Sequence, residues 1–441
     1  MTILIQNGLV WIEQEFKNMN ILLDDQGLIH SLDVPSVQIA ADEYLDARDM
    51  LVVPGFVQAH VHFNQTLFRG LADDMDVVEW LRTRIWPLEQ LHTPTSIRAA
   101  AKLAIAELIR GGTTTAVAME SSNFTEAAFE VAAEMGIRLV MGNAMMDRLE
   151  VDTGIHADTT DVTLRKSLDL KSKFDHSENG RIRFAFCPRG TSNVSQELWK
   201  ELGRLSTAEG TLVHTHVAEN GGLTRQFLTS GQSEIDYLAD LGVVNGHLLI
   251  AHGVWLRPED MQRLSQAGAS VVHCPSANLK LASGFAPVPD MLEQGINVGI
   301  GADGAPCNNN LDAFHEMRLA ALIHKPKYGP QAMPAESVFA MMTTGGARAA
   351  GLATEIGSLE VGKKADLVMI RRDKVHAWPL VPGNEIGQIV YSHRAEDVDT
   401  VIIDGRILLR DGLFTAWDLN DILAEVQAEQ MAIVERFEKA K

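Results

Sequence analysis

Five apolar stretches of this chain end in side chains that bind metal ions or carry protons. PGFVQAHVH ends in His60 and His62, TLVHTHVAEN carries His214, His216 and Glu219, HLLIAH ends in His252, ASVVHCP contains His273, and INVGIGAD ends in Asp303. Side chains two apart on a strand share a face, so His60 and His62 point the same way, as do His214 and His216. Two imidazoles on one strand edge can hold a single ion at ~2.0–2.1 Å per bond. Glu219 follows His216 by three residues, a spacing that suits a proton shuttle at the mouth of a site. Asp303 can ligate the ion and also accept a proton from its water. His252 can serve as a ligand or as a neutral donor to the metal-bound water; His273 can do the same or be a hydrogen-bonded structural histidine. Mixed nitrogen and oxygen ligands suit zinc, with ferrous iron as the alternative. Such an ion lowers the pKa of water to about 7.

These residues need a scaffold that brings distant strand ends together. Eight apolar β-like runs recur at 51–62, 113–119, 137–145, 181–188, 211–217, 247–252, 269–275 and 296–303. Ala- and Leu-rich helical stretches such as SIRAAAKLAIAELIRGG and TEAAFEVAAEMG lie between them. Eight strand–helix units predict an α/β fold, a (β/α)8 TIM barrel whose strand ends all open on one face. A doubly wound open sheet is the alternative. GIGADG lacks the GxGxxG spacing and reads as a turn. Both chain ends read as strand–turn–strand, and residues 418–441 read as an amphipathic helix. We therefore expect a small β-sandwich domain from 1–55 plus 356–441 and a barrel from 56–355.

The composition narrows the partners. A formal charge of −20 opposes nucleic acid and anionic membranes. With 46% hydrophobic and 22% charged residues the chain reads as a globular enzyme. Three cysteines without a CxxC spacing, no basic-then-apolar N-terminus and no long apolar run predict a cytoplasmic protein without disulfides.

Longer motifs carry a resemblance. PGFVQAHVHFNQTLFRGLADD, WLRTRIWPLE, ELIRGGTTTAVAM, HTHVAEN, IAHGVWL, HCPSANLKLASGFAPVPDML, GADGAPCNNNLDAFHEMRLAAL and IGSLEVGKKADLVMI together resemble the mononuclear aminohydrolase branch of the amidohydrolase superfamily. That branch includes deaminases of 5′-deoxyadenosine, methylthioadenosine and S-adenosylhomocysteine, guanine and 8-oxoguanine deaminases, and triazine hydrolases. The resemblance implies His60, His62, His216 and Asp303 as metal ligands and Glu219 as the acid/base for the ring nitrogen and the leaving amine. It implies His252 as the partner of the attacking water and Asp303 as acceptor of that water's proton. The reaction implied is hydrolytic deamination through a tetrahedral intermediate, in purine metabolism. The binuclear branch often bridges two metals with a fourth-strand lysine. The fourth run here, RIRFAFCPRG, has Cys187 and no lysine, which implies one zinc (or Fe2+) per chain.

The substrate side divides. TLFRGLADD, IWPLE and GADG…NNNLDAF…EMRLAAL look most like the deaminases of 5′-modified adenosines, in which the Glu corresponding to Glu89 holds the ribose hydroxyls. CPRGTSNVS departs from that group, and Arg189 resembles the base-contacting arginine of guanine-type deaminases. Arg148 is a candidate for a carboxylated tail, while Trp86 and His273 are candidates to line the substrate slot. Release of an amine or chloride from a triazine, cyclic-amide hydrolysis with two metals, and a non-catalytic barrel are the competing functions. The partner expected is a small heterocyclic amine. Apolar helices near LDAFHEMRLAALI suggest a homo-oligomer.

Overall fold

A computed structural model describes residues 1–34, 40–148 and 157–440. Eight strands form the barrel: β1 (Phe56–His62), β2 (Thr113–Glu120), β3 (Arg138–Met145), β4 (Ile182–Pro188), β5 (Leu212–Val217), β6 (Leu248–His252), β7 (Ser270–His273) and β8 (Asn297–Ile300). Each pairs in parallel with its sequence neighbour. Ile300 pairs with Gln58 to close the ring, so the fold is the TIM barrel and not the open sheet. Nearly every strand residue is buried, which is why these strands read as unbroken apolar runs rather than alternating ones.

The first expected run divides in two. Met50–Pro54 leaves the barrel and pairs with Leu367–Arg371 in a second, mixed sheet built from both chain ends. The break falls at Gly55, where a Cβ would lie 2.1 Å from the Thr114 hydroxyl. In Met50–Pro54 the faces alternate. Leu51 and Val53 join the barrel-side core, and Val52 joins the small core of the second sheet with Ile3, Ile5, Leu367 and Ile402. Periodicity could not divide the run, because both segments are buried.

The helices follow their own end rules. Thr93 and Ser96 form a reciprocal capping box on Pro94–Arg110. Thr125–Met135 stops at Gly136 in the left-handed conformation, φ 88°. The expected terminal helix spans Leu419–Ala440 and is tied to Pro94–Arg110 by Lys102–Glu425 at 2.6 Å.

One buried ion pair joins the barrel to the second sheet. Arg138, at the start of β3 and fully buried, donates from Nε to Asp366 Oδ2 (2.7 Å) and from Nη2 to Asp366 Oδ1 (2.9 Å). Removing one partner strands the other charge in a dry environment. Arg138→Met is expected to cost about 3–5 kcal/mol, read as a lower urea midpoint. An unchanged midpoint would rule out this pair as a stabilising link.

Candidate active site

The carboxyl ends of the barrel strands collect His60, His62, His216, His252 and Asp303. Asp303 and Gly304 form a short extra strand beside Val61 and His62. That approach needs glycine at 301, where a Cβ would lie 2.5 Å from the His60 carbonyl oxygen; the GIGADG turn is a packing device. Asp303 (φ 63°) and His252 (φ 74°) adopt the left-handed region that non-glycine residues avoid, the kind of strain found where geometry serves function.

Each of the four imidazoles is anchored through Nδ1. His62 Nδ1 donates to the Met119 carbonyl (2.7 Å), His216 Nδ1 to the Arg189 carbonyl (2.5 Å), and His252 Nδ1 to Asn278 Oδ1 (2.9 Å). His60 Nδ1 lies 2.8 Å from His214 Nε2. A carbonyl on Nδ1 selects the tautomer whose Nε2 lone pair is free. The Nε2 atoms face inward: His60 and His62 are each 3.2 Å from Asp303 Oδ1, and His62 is 3.3 Å from His216. His60 Nε2 is buried and makes no hydrogen bond. Ligand atoms of His60, His216, His252 and Asp303 all lie within 4.8 Å of one another. This grouping includes His252, whereas the expected set has His62, whose Nε2 is equally close to Asp303. His252 Nε2 instead stands 3.9 Å from the other Asp303 oxygen and 3.8 Å from Glu219 Oε2.

Burial and neighbours hold these groups in ligand form. Desolvation lowers the His60 pKa to about 4 and keeps His216 well below the usual histidine value. For Asp303 desolvation pushes upward, but the close approach of His60 and His62, each 3.2 Å away, outweighs it and the carboxyl stays well below the usual range. Glu219 goes the other way. Burial raises its pKa against the pull of His252, with Asp303 adding to the rise, and a raised carboxyl suits proton transfer near neutrality.

A cavity of about 340 Å³ opens over this cluster, lined at its base by His62, His216, Glu219, His252 and Asp303. Gln65, Trp86 and Arg189 form one wall, and Val77, Leu81 and Leu223 the apolar mouth. The wall helix widens into a π-turn over Leu81–Ile85 just before Trp86, a feature common beside functional sites. Among the expected substrate residues, Arg189 and Trp86 line the cavity, with the guanidinium carbon 6.0 Å from the indole centroid. Glu89 is buried behind the wall, paired with Arg189 at 2.6 Å. His273 is fully buried against His324, with ring centroids 5.4 Å apart, and does not line the cavity. Arg148 is exposed and does not line it either. Asn278, Gln65 and the carbonyls of Met119 and Arg189 escape sequence reading, since none belongs to a residue type that announces chemistry.

Beneath the site, Glu120 is buried and accepts from the Phe63 amide (2.8 Å) and the Asn64 amide (3.0 Å). Burial raises its pKa to about 8, against the pull of those amides. A folded-state pKa above the unfolded one favours folding fully only below about 4.3, and that advantage fades as pH rises through about 8. The wild-type Tm should therefore drop more between about pH 5 and 8 than the Tm of Glu120→Gln. Parallel pH profiles would contradict the assignment.

A parallel barrel whose strand ends gather anchored imidazoles around one aspartate defines a metal-dependent hydrolase, and the donor set fits a divalent ion. The chain belongs to the amidohydrolase family, whose profile matches residues 51–408. It is 36% identical over 418 residues to 5-methylthioadenosine/S-adenosylhomocysteine deaminase of Thermococcus onnurineus, covering 93% of this chain and 95% of that protein. It is 38% identical over 376 residues to 5′-deoxyadenosine deaminase of Methanothermobacter thermautotrophicus, covering 84% and 85%. The crystal structure of an adenosine deaminase from Xanthomonas campestris with bound zinc superposes with a TM-score of 0.90 at 30% identity over 98% of both chains. No helix among the described residues is long and apolar enough to cross a membrane.

Proposed function

We propose that this chain is a metal-dependent hydrolytic deaminase of an amino-substituted N-heterocycle. The first substrate class is the adenine ring of a 5′-modified adenosine: 5′-deoxyadenosine, methylthioadenosine or S-adenosylhomocysteine. The observation that carries the reading is the set of four Nδ1-anchored imidazoles facing Asp303, with Glu219 beside them over an open cavity. His60, His62, His216 and Asp303 would hold one zinc ion, with ferrous iron as the alternative. When bound, the ion supplies Lewis acidity that makes water a nucleophile near neutral pH.

The chain's own residues do the rest. His252 orients the attacking water, and Asp303 takes its proton. Glu219 protonates the ring nitrogen, takes the proton of the added hydroxyl as that becomes the carbonyl, and hands it to the departing amine, so that the C–N bond breaks and ammonia leaves; the proton held by Asp303 then restores Glu219. The names of the relatives support the adenosine class. Arg189 on the cavity wall favours a second reading, an oxo-purine of the guanine or 8-oxoguanine type or a triazine. Ammonia release by the zinc-loaded protein decides between them, on a panel of the three adenosines, guanine, 8-oxoguanine, isocytosine and hydroxylated triazines. Turnover of guanine with none of the adenosines would replace the first reading by the second. Turnover of nothing would end both.

The same reading assigns a cytoplasmic location, supported by three buried free thiols, and a homo-oligomer. The apolar face of Ala313–Ile323 is largely consumed within the chain, with Phe314, Met317 and Ala320 buried; Leu322 remains exposed. Sedimentation would show the assembly state.

A further inference from the structure

Glu89 occupies the place at which a sugar-binding carboxylate is expected, yet its surroundings are those of a structural anchor. It is 8% exposed and does not line the cavity. Both oxygens are engaged: Oε2 accepts from Arg189 Nη1 (2.6 Å), and Oε1 from Arg189 Nη2 (3.2 Å), Gln65 Nε2 (3.1 Å) and Asn64 Nδ2 (3.4 Å). Three of these donors crowd the two lone pairs of Oε1, and Oε2 keeps one lone pair, so no more than one further donor fits without displacing one of the four. A ribose diol could place both hydroxyls on Glu89 only by displacing one of these donors.

Arg189 and Gln65, by contrast, do line the cavity. Two of the five guanidinium N–H groups point at Glu89, which leaves three donors on a pair whose charges cancel. Such a neutral pair with spare donors suits an uncharged acceptor, a ring nitrogen or carbonyl oxygen, better than an anion or a diol. Trp86 flanks the guanidinium and limits its swing.

We infer that Glu89 is a positioning residue. It holds Arg189 and Gln65 in place to meet the heterocycle, and it does not contact the ligand's sugar. The inference rests on reading this cavity as the site of a heterocyclic amine, but its test has an arm that needs no substrate.

In the metal-loaded full chain, Glu89→Gln should lower Tm, because Arg189 loses its counter-charge in a buried place, and Glu89→Gln with Arg189→Met should recover most of the loss. Recovery marks a mutual anchor. An unchanged or raised Tm in Glu89→Gln would overturn the inference. The second arm compares each turned-over nucleoside or base with an analogue lacking hydroxyls at the sugar positions, or lacking the sugar. Glu89→Gln should raise KM by about tenfold for both members of a pair, with a much smaller change in kcat. A purely structural role would not move KM in this way. A loss confined to the hydroxyl-bearing member would mean that Glu89 binds the sugar, and would overturn the inference. If no amine on the panel is turned over, the proposed function fails, and the Tm pair still decides the role of Glu89.

Discussion

Glu219→Gln should keep its full metal content and lose about 10²–10⁴-fold in turnover. The carboxyl sits at the cavity base, 3.8 Å from His252, and outside the group of ligand atoms that surround Asp303. Glutamine preserves its shape and hydrogen-bonding reach but cannot carry a proton. Burial already raises the Glu219 pKa, so the acid form persists to a higher pH than in an ordinary glutamate, and an amide cannot reproduce that. Metal analysis together with ammonia release checks the outcome. Retained turnover would remove Glu219 from the mechanism, and lost metal would make it a ligand.

His62→Ala is expected to lose both metal and activity, whereas His252→Ala should keep the metal and lose activity. The pair of variants separates two ligand sets. Ligand atoms of His60, His216, His252 and Asp303 lie within 4.8 Å of one another, but His252 faces the second Asp303 oxygen and Glu219 rather than the shared Oδ1. His62 presents Nε2 to Asp303 Oδ1 at the same 3.2 Å as His60. Metal content per chain, measured after dialysis, decides. Full occupancy in His62→Ala would show that His252 completes the set. Loss of a ligand should also lower Tm in the presence of metal, since an ion that binds only the folded state stabilises it by mass action.

Much of this site is legible along the chain because its chemistry uses scarce residue types at strand ends. His60 and His62 are two apart, as one strand edge requires, and His216, Glu219, His252 and Asp303 each close an apolar run. His273 shows the limit of that logic. It ends β7 just as His252 ends β6, yet its ring packs on His324 and stays out of the cavity. Nothing in a run of apolar residues records which side of the barrel wall its last side chain will face. Arg148 fails for a related reason: a charged residue beyond a strand can reach inward or outward, and here it is exposed.

The sequence by itself determined the class of scaffold, the residues able to bind a metal and the residue able to carry a proton. These depend on periodicity and side-chain chemistry, which are local. Only the tertiary structure decided the rest. The Glu89–Arg189 pair joins residues 100 apart, and the Arg138–Asp366 pair joins residues 228 apart. Anchoring of the His62, His216 and His252 rings falls to backbone carbonyls and an asparagine, groups too common in any chain to stand out. The split at Gly55 depends on which sheet each buried segment joins. Long-range pairing is set by how the elements pack, and packing is a property of the whole fold. Hence the candidate ligands could be named from the chain, while their convergence at one mouth had to come from the barrel.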